Sequence, residues 1–346
     1  MNDLLSLDIS QLENLLVELG EKKFAAKQLR AWLCKGVPFE EMTNLSKTLR
    51  VKLRERYNEG YASISQKHTS TDGTVKYLLE LTDGNLIECV LMQYHHGNTL
   101  CVSTQVGCRM GCVFCASGVE GLVRQLTAGE MLSELIAARE SGEISNVVLM
   151  GSGEPLDNYD NVTAFIRALQ AEFGIGMRHI SLSTCGLVPG ILKLAEEQLS
   201  ITLCLSLHSA IDEKRKQLMP IAQAYTIKEI IEAAKVYFKK TGRRIIIEYT
   251  LIRGFNDGQE DIDALKRILR GLNCHINVIP LNNTPKSPAF RKPDHDANNF
   301  LPPSKKEGYA FAATLEKYGL SASVRRALGS DIEGACGQLK RRVRHI

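Results

Sequence analysis

Apolar residues recur at helical spacing near the start of the chain: Leu12, Leu15, Leu16 and Leu19 share one face, and Phe24, Leu29, Trp32 and Leu33 begin a second. Residues 1–60 are therefore expected to form a small helical domain. The period then drops to two, with residues 74–79 and 86–90 flanking Asp83-Gly84, a strong hairpin signal. This predicts a β-extension over residues 61–98. From residue 99 onward, short apolar runs at 100–104, 147–150, 180–184, 201–207, 245–251 and 276–281 alternate with helical segments. Two of those helices have capping boxes, Thr127 with Glu130 and Thr226 with Glu229. Six such alternations imply an α/β fold of parallel strands joined by right-handed crossovers, either an open doubly wound sheet or a full or partial barrel. In each case the active site lies at the C-terminal ends of the strands.

Composition narrows the class. With 44% hydrophobic and 24% charged residues the chain is an ordinary globular protein, not a disordered or repetitive one. No basic region precedes an apolar run at the start, and no apolar run approaches the ~18 residues that span a bilayer. A cytoplasmic protein with no membrane partner is expected, its ten cysteines serving as thiols, metal ligands or catalysts. The net charge of +4 is small, but its distribution is uneven. Lys22, Lys23, Lys27, Arg30 and Lys35 occur without an acidic residue between them, Lys47, Arg50, Lys52, Arg54 and Arg56 include only Glu55, and residues 340–344 read Lys-Arg-Arg-Val-Arg. These runs fit either solvated helix faces or an RNA-binding surface.

The chemistry begins after the first strand of the α/β region, where Cys108, Cys112 and Cys115 form a CxxxCxxC. A tetrahedral zinc site ordinarily completes itself with a second close Cys or His pair, and none follows. An iron–sulfur cluster held by three cysteines leaves one iron open for a ligand. Three clustered thiols with no metal would oxidise readily. Elsewhere the residues alone say less. Gly153-Glu154-Pro155 reads as a loop, His208 as a satisfied histidine, Glu88 as a charge on an edge strand, and Cys101 and Cys336 as small hydrophobes.

The cysteine motif in this position resembles the radical S-adenosylmethionine (SAM) superfamily. Residues 99–108 (TLCVSTQVGC), 150–155 (MGSGEP), 206–208 (SLH), 218–220 (LMP) and 335–339 (ACGQL) make the chain similar to the RlmN/Cfr family of RNA adenine methyltransferases. The resemblance implies a partial (βα)6 radical-SAM barrel over residues 99–346, carrying a catalytic cysteine loop at its C-terminal end. It implies a 4Fe-4S cluster on Cys108, Cys112 and Cys115, and SAM bound by Gly153, Glu154, Ser183, Ser206, Leu207, His208 and Asn282. Two SAM molecules would be used per turnover, one as methyl donor and one as radical source. Cys336 would accept the methyl group and carry it to adenine as a carbon radical, because an electrophilic ring carbon does not displace a sulfonium methyl. Cys101 would then resolve the protein–RNA thioether by forming a disulfide, with Glu88 as proton acceptor. Cys34, Cys89, Cys185, Cys204 and Cys274 match no family role and are assigned to packing. The implied partners are 23S ribosomal RNA, transfer RNA, and an electron donor such as flavodoxin or ferredoxin. Residues 218–220, 281–282 and 42–47 favour methylation of adenine carbon 2 over the carbon 8 chemistry that confers antibiotic resistance. Ser152 and Glu333-Gly334 depart from the family pattern without removing a proposed ligand or nucleophile. The rival reading from another class is a non-catalytic metal-bearing RNA-binding module.

Overall fold

The structure, a computed structural model, describes residues 2–95, 97–282 and 300–339. Strand β1 (Asn2–Asp3) pairs in parallel with β2 (Tyr57–Asn58), and α1 (Ile9–Glu18), α2 (Ala25–Leu33) and α3 (Lys47–Arg56) lie between them. Asp8 and Ser46 cap α1 and α3 by accepting from Gln11 and Leu49 backbone amides. Leu12, Leu16, Leu29 and Leu33 are fully buried, as their spacing predicts. Phe24 is not: it stands at the N-cap position of α2 and is 62% exposed.

The basic runs are also partly internal. Arg30 is buried, with Nε 2.7 Å from the Glu172 carboxylate and Nη1 donating to the Leu5 and Leu7 carbonyls. Lys52 donates to the Leu19 carbonyl, and Arg54 pairs with Glu40. Lys22, Lys23, Lys27, Lys35 and Arg56 remain exposed. The basic run at 340–344 lies outside the described residues.

Then follow β3 (Ser63–Thr69), β4 (Val75–Glu80), β5 (Leu86–Met92) and β6 (Asn98–Cys101). A short antiparallel pair, β7 (Gln105–Gly107) and β8 (Leu122–Gln125), brackets the CxxxCxxC loop. After α4 (Ala128–Ala138) come β9 (Ile144–Leu149), α5 (Tyr159–Phe173), β10 (Ile180–Thr184), α6 (Val188–Glu196) and β11 (Thr202–Ser206). The chain continues through α7 (Asp212–Leu218), α8 (Ile227–Thr241), β12 (Ile245–Leu251), α9 (Gln259–Ile268), β13 (Cys274–Pro280), α10 (Lys305–Lys317) and β14 (Ala322–Val324). Both predicted capping boxes are present, on α4 and α8.

One ten-stranded sheet runs β3-β4-β5-β6-β9-β10-β11-β12-β13-β14. Pairing is parallel from β6 to β14 and antiparallel from β3 to β6, so the hairpin region continues the barrel sheet. The order never reverses. A doubly wound sheet has a switch point where it does, so this is the partial barrel, left open between β14 and β3. The predicted strand at 100–104 stops at Cys101. Beyond it the chain turns, the Ser103 amide donating to the Glu134 carboxylate and the Thr104 amide to the Ser152 carbonyl. Glu88 is no edge charge: β5 pairs on both sides, and the residue is buried. Two strands of this sheet escape the pattern reading, β3 because all seven residues are exposed and β14 because it has only three.

The Arg30–Glu172 pair joins the helical domain to α5, and Cys34 donates to the same carboxylate at 2.8 Å. Removing one partner of a buried pair strands the other charge. Arg30→Met is expected to cost about 3 kcal/mol, and Arg54→Ala, at an exposed pair, less than about 1 kcal/mol. Urea unfolding of the two variants beside the wild type measures both; equal costs would contradict the assignment.

Candidate active site

The C-terminal ends of the parallel strands surround a cavity of about 160 Å3, and the CxxxCxxC loop forms one wall of it. Cys108, Cys112 and Cys115 all line this wall. Gly111 in the loop has φ +66°, and the backbone of Gly118 packs against it, so the loop's tight turn uses glycine at both contacts. Burial raises all three thiols, Cys108 to about 12. As bare thiols they are therefore protonated and need a metal's charge to become ligands. Among the described residues no three of His, Cys, Asp and Glu are placed to hold a single metal ion. The three sulfurs share a wall without closing on one point. That arrangement suits a cube-shaped cluster, which takes each cysteine at a separate iron, better than one zinc ion.

Opposite the loop stand the strand-end residues. Gly153, with φ +112°, brings the backbone so close to β7 that a Cβ would lie 2.6 Å from Thr104 Oγ1. Glu154 Oε2 accepts from the Cys185 amide at 2.7 Å, and Oε1 accepts from the Leu156 amide at 3.1 Å. Burial raises its pKa. Ser183 and Ser206 hydroxyls are 3.3 Å apart at the ends of β10 and β11. His208, with φ +55°, accepts from the Thr250 amide through Nδ1 at 3.0 Å. The proton of the neutral ring is thereby fixed on Nε2. Phe114 of the cysteine loop packs edge-on to the same ring, centroids 4.8 Å apart.

All the predicted cofactor residues line this cavity except Leu207, whose side chain is in the core. Asn282 is engaged by the protein itself: its Nδ2 donates to the Cys336 carbonyl at 2.9 Å. Ser152, one of the departures from the family pattern, is buried 3.2 Å from the Ser117 hydroxyl. Cys185, assigned from sequence to packing, lines the cavity as well.

Cys336 and Cys101 meet at a second, smaller cavity of about 40 Å3 beside the first. Cys336, Asn282, Met150 and Arg325 line both, so Cys336 stands where the two adjoin. All ten cysteines are free. Burial pushes the Cys101 thiol up to about 12. Arg325 is the residue that the sequence reading missed. It lines the smaller cavity with Cys336 and Cys101, its Nη1 is 3.7 Å from the Glu248 carboxylate, and electrostatic interaction with Cys336 and Glu248 raises its pKa. In the sequence it is one of two adjacent arginines after a three-residue strand, which carries no signal. Glu88 lines neither cavity. Its carboxylate is 3.6 Å from Lys76 Nζ, and Lys76 also donates to the carbonyl of Glu333, three residues before Cys336.

Comparison with known proteins supplies the family. Residues 2–58 match the ribosomal RNA large subunit methyltransferase N-terminal domain, and residues 102–266 match the radical SAM superfamily. A Clostridium perfringens protein named "Probable dual-specificity RNA methyltransferase RlmN" is 51% identical over 348 residues, covering 99% of this chain and 97% of that protein. The chain belongs to the RlmN family of radical SAM RNA methyltransferases. An Alkaliphilus oremlandii member of the same name is 50% identical, covering 98% of each chain. The crystal structure of a radical SAM methyltransferase from Sphaerobacter thermophilus superposes with a TM-score of 0.90 at 41% identity, covering 98% of this chain and 99% of the other. RlmN-family membership makes the chain an enzyme, with RNA as substrate and the radical SAM cofactors, a 4Fe-4S cluster and SAM, as its chemistry. The non-catalytic reading is thereby set aside. Among the described residues no helix is long and apolar enough to cross a membrane.

Burial, and after it the Arg215 guanidinium, push the His208 imidazole down to about 3. An unfolded histidine titrates near about 6.5, so between these values the unfolded chain binds the extra proton and stability falls as pH drops. His208→Asn keeps a residue that tolerates positive φ and removes this titration. Urea unfolding should show the variant losing less stability than the wild type between about pH 6 and pH 4; parallel losses would contradict a neutral, buried imidazole.

Proposed function

We propose that this chain methylates carbon 2 of an adenine in 23S ribosomal RNA and in transfer RNA, through a methylated Cys336 and a transient thioether to the RNA. The observation that carries the reading is the position of Cys336, lining both the cavity walled by Cys108, Cys112 and Cys115 and the cavity that holds Cys101. The relatives' description as dual-specificity RNA methyltransferases supports a second RNA substrate. Carbon 2 is favoured over carbon 8 by the motifs at 218–220 and 281–282, of which Met219, Leu281 and Asn282 line the larger cavity.

Cys108, Cys112 and Cys115 would hold the cluster, and Gly153, Glu154, Ser183, Ser206, His208 and Asn282 would hold SAM, used twice per turnover. When bound, the cluster and SAM supply the radical that takes a hydrogen atom from a methylated cysteine. The Cys336 sulfur would first attack the methyl carbon of one SAM, forming an S–CH3 bond as the sulfonium C–S bond breaks and S-adenosylhomocysteine leaves. Arg325, positive and lining the cavity that holds Cys101, opposes the burial that keeps the Cys101 thiol protonated. The Cys336 methylene then bonds to the ring carbon, and the adduct radical gives up one electron to the oxidised form of a flavodoxin- or ferredoxin-type carrier. Glu88 takes the ring proton. The Cys101 thiolate attacks the Cys336 sulfur, and the bond from that sulfur to the methylene breaks. The released carbon takes a proton to become methyl, and a Cys101–Cys336 disulfide remains for an external thiol reductant. The exposed lysines around Phe24 in the helical domain grip RNA phosphates, a flavodoxin- or ferredoxin-type protein delivers electrons, and the reaction takes place in the cytoplasm.

The two cysteines should fail differently. Cys336→Ala is expected to give no methyl group on protein or RNA. Cys101→Ala retains the acceptor and should accumulate RNA covalently bound at Cys336. Mass spectrometry of the nuclease-treated protein and of the RNA nucleosides reads both results and identifies the methylated carbon. Full RNA methylation by Cys101→Ala, with Cys336 unmodified, would overturn the mechanism.

A further inference from the structure

The cluster loop has a cationic neighbour that the reaction scheme does not use. Arg215, on α7, is fully buried, yet it has no carboxylate within ion-pair distance among the described residues. Its contacts are backbone carbonyls: Nε donates to Leu207 at 3.1 Å, and Nη2 donates to Cys185 at 2.6 Å and Ser206 at 3.3 Å. Nη1 has no hydrogen-bond partner among the described residues. A buried guanidinium with an unsatisfied nitrogen and only carbonyl dipoles around it is a costly arrangement unless an anion completes it.

The surrounding residues indicate where that anion would be. The acidic groups coupled electrostatically to Arg215 are Cys185, Cys112 and Asp212; the one basic group, His208, is a neutral imidazole. Burial keeps the Cys185 thiol protonated, and the Asp212 carboxylate accepts from the Ile227 amide at the start of α8. Cys112 is left. The end of α7 is bonded directly to the cysteine loop, the Leu218 carbonyl accepting from the Val113 amide at 3.0 Å, and Leu218, Val113 and Cys185 pack in one apolar cluster against Cys112. Arg215 itself does not line the cavity, whereas Cys112 does. Its charge is therefore placed behind the loop, on the side away from a ligand in the cavity.

We propose that Arg215 is the buried counter-charge of the iron–sulfur cluster, its guanidinium compensating the negative charge carried through Cys112. An iron–sulfur core held by three thiolates is a net anion and becomes more negative when it accepts an electron. A fixed cation on the dry side of the site favours the reduced form. Arg215 is thus a positioning residue that sets how readily the cluster is reduced. The inference rests on Cys108, Cys112 and Cys115 holding the cluster, which iron analysis of the anaerobically reconstituted protein tests separately; about four irons per chain are expected.

The test is a dye-mediated reductive titration of the cluster-loaded wild type, Arg215→Lys and Arg215→Gln, without SAM. Arg215→Gln should shift the reduction equilibrium toward the oxidised cluster by at least tenfold, about 59 mV for one electron. Arg215→Lys, which keeps the charge, should stay close to wild type. An unchanged potential in Arg215→Gln, or equal shifts in both variants, would show that the side chain only anchors carbonyls and would overturn the proposal. If either variant fails to load, the wild type decides. Protein carrying 15N only in its guanidino groups should show a nitrogen coupling to the reduced cluster by electron–nuclear double resonance before SAM is added. No coupling, or one that appears only with SAM, would place the charge elsewhere and overturn the proposal.

Discussion

The Cys336 carbonyl accepts from Asn282, the Gly337 carbonyl accepts from the Ala116 amide, and the Leu339 carbonyl accepts from the Ser117 hydroxyl at 2.7 Å. Through these bonds the loop at 329–339 is seated across the mouth of a sheet that does not close, and the geometry of the site depends on that seat. The hairpin side supplies the other half. Asp331 accepts from the Ser70 hydroxyl and the Thr71 amide, and the Gly329 amide donates to Asp72 at 2.9 Å. Had β14 met β3 in a closed barrel, no chain segment could enter between the cluster loop and the β5–β6 face where Cys101 is held.

The composition of the seat matters as much as its position. Leu328 and Leu339 anchor the loop's two ends in a small apolar cluster with Val90, Met92 and Cys101. Between those anchors the contacts are hydrogen bonds, each worth about 0.5–1.5 kcal/mol net in water. Such a loop holds Cys336 in one place at rest and still exchanges its partners at modest cost. The role proposed for Cys336, serving two cavities in turn, needs that combination. The site's buried charges follow the same economy of placement. Arg325 lines the cavity that Cys101 and Cys336 share, and Arg215 lies buried outside the wall of the larger one.

Much of this architecture is legible in the sequence because its causes are local. Strands covered on both faces read as continuous apolar runs, and β10 and β12 appear within their predicted limits. Capping boxes and the CxxxCxxC spacing are likewise local. What escapes is non-local or carries no contrast. β3 is polar throughout, β14 is too short to show a period, and the open edge between them follows from topology alone. Arg30 reads as part of a basic run, and nothing local in the sequence marks Arg215 or Arg325 as buried. The link between Cys101 and Cys336 came from likeness to a family and not from any pattern in the chain; their shared cavity depends on a fold that brings the last strand's loop back to the first.

The account's central claim is that Cys336 and Cys101 are partners across that open mouth. Mild diamide oxidation of the anaerobic, cluster-loaded protein, followed by peptide mapping, tests it most directly. The account predicts one dominant linked peptide joining Cys101 to Cys336, with the cluster cysteines protected. Cys336 remaining unlinked, or linked to Cys108, Cys112 or Cys115 while Cys101 stays reduced, would contradict it.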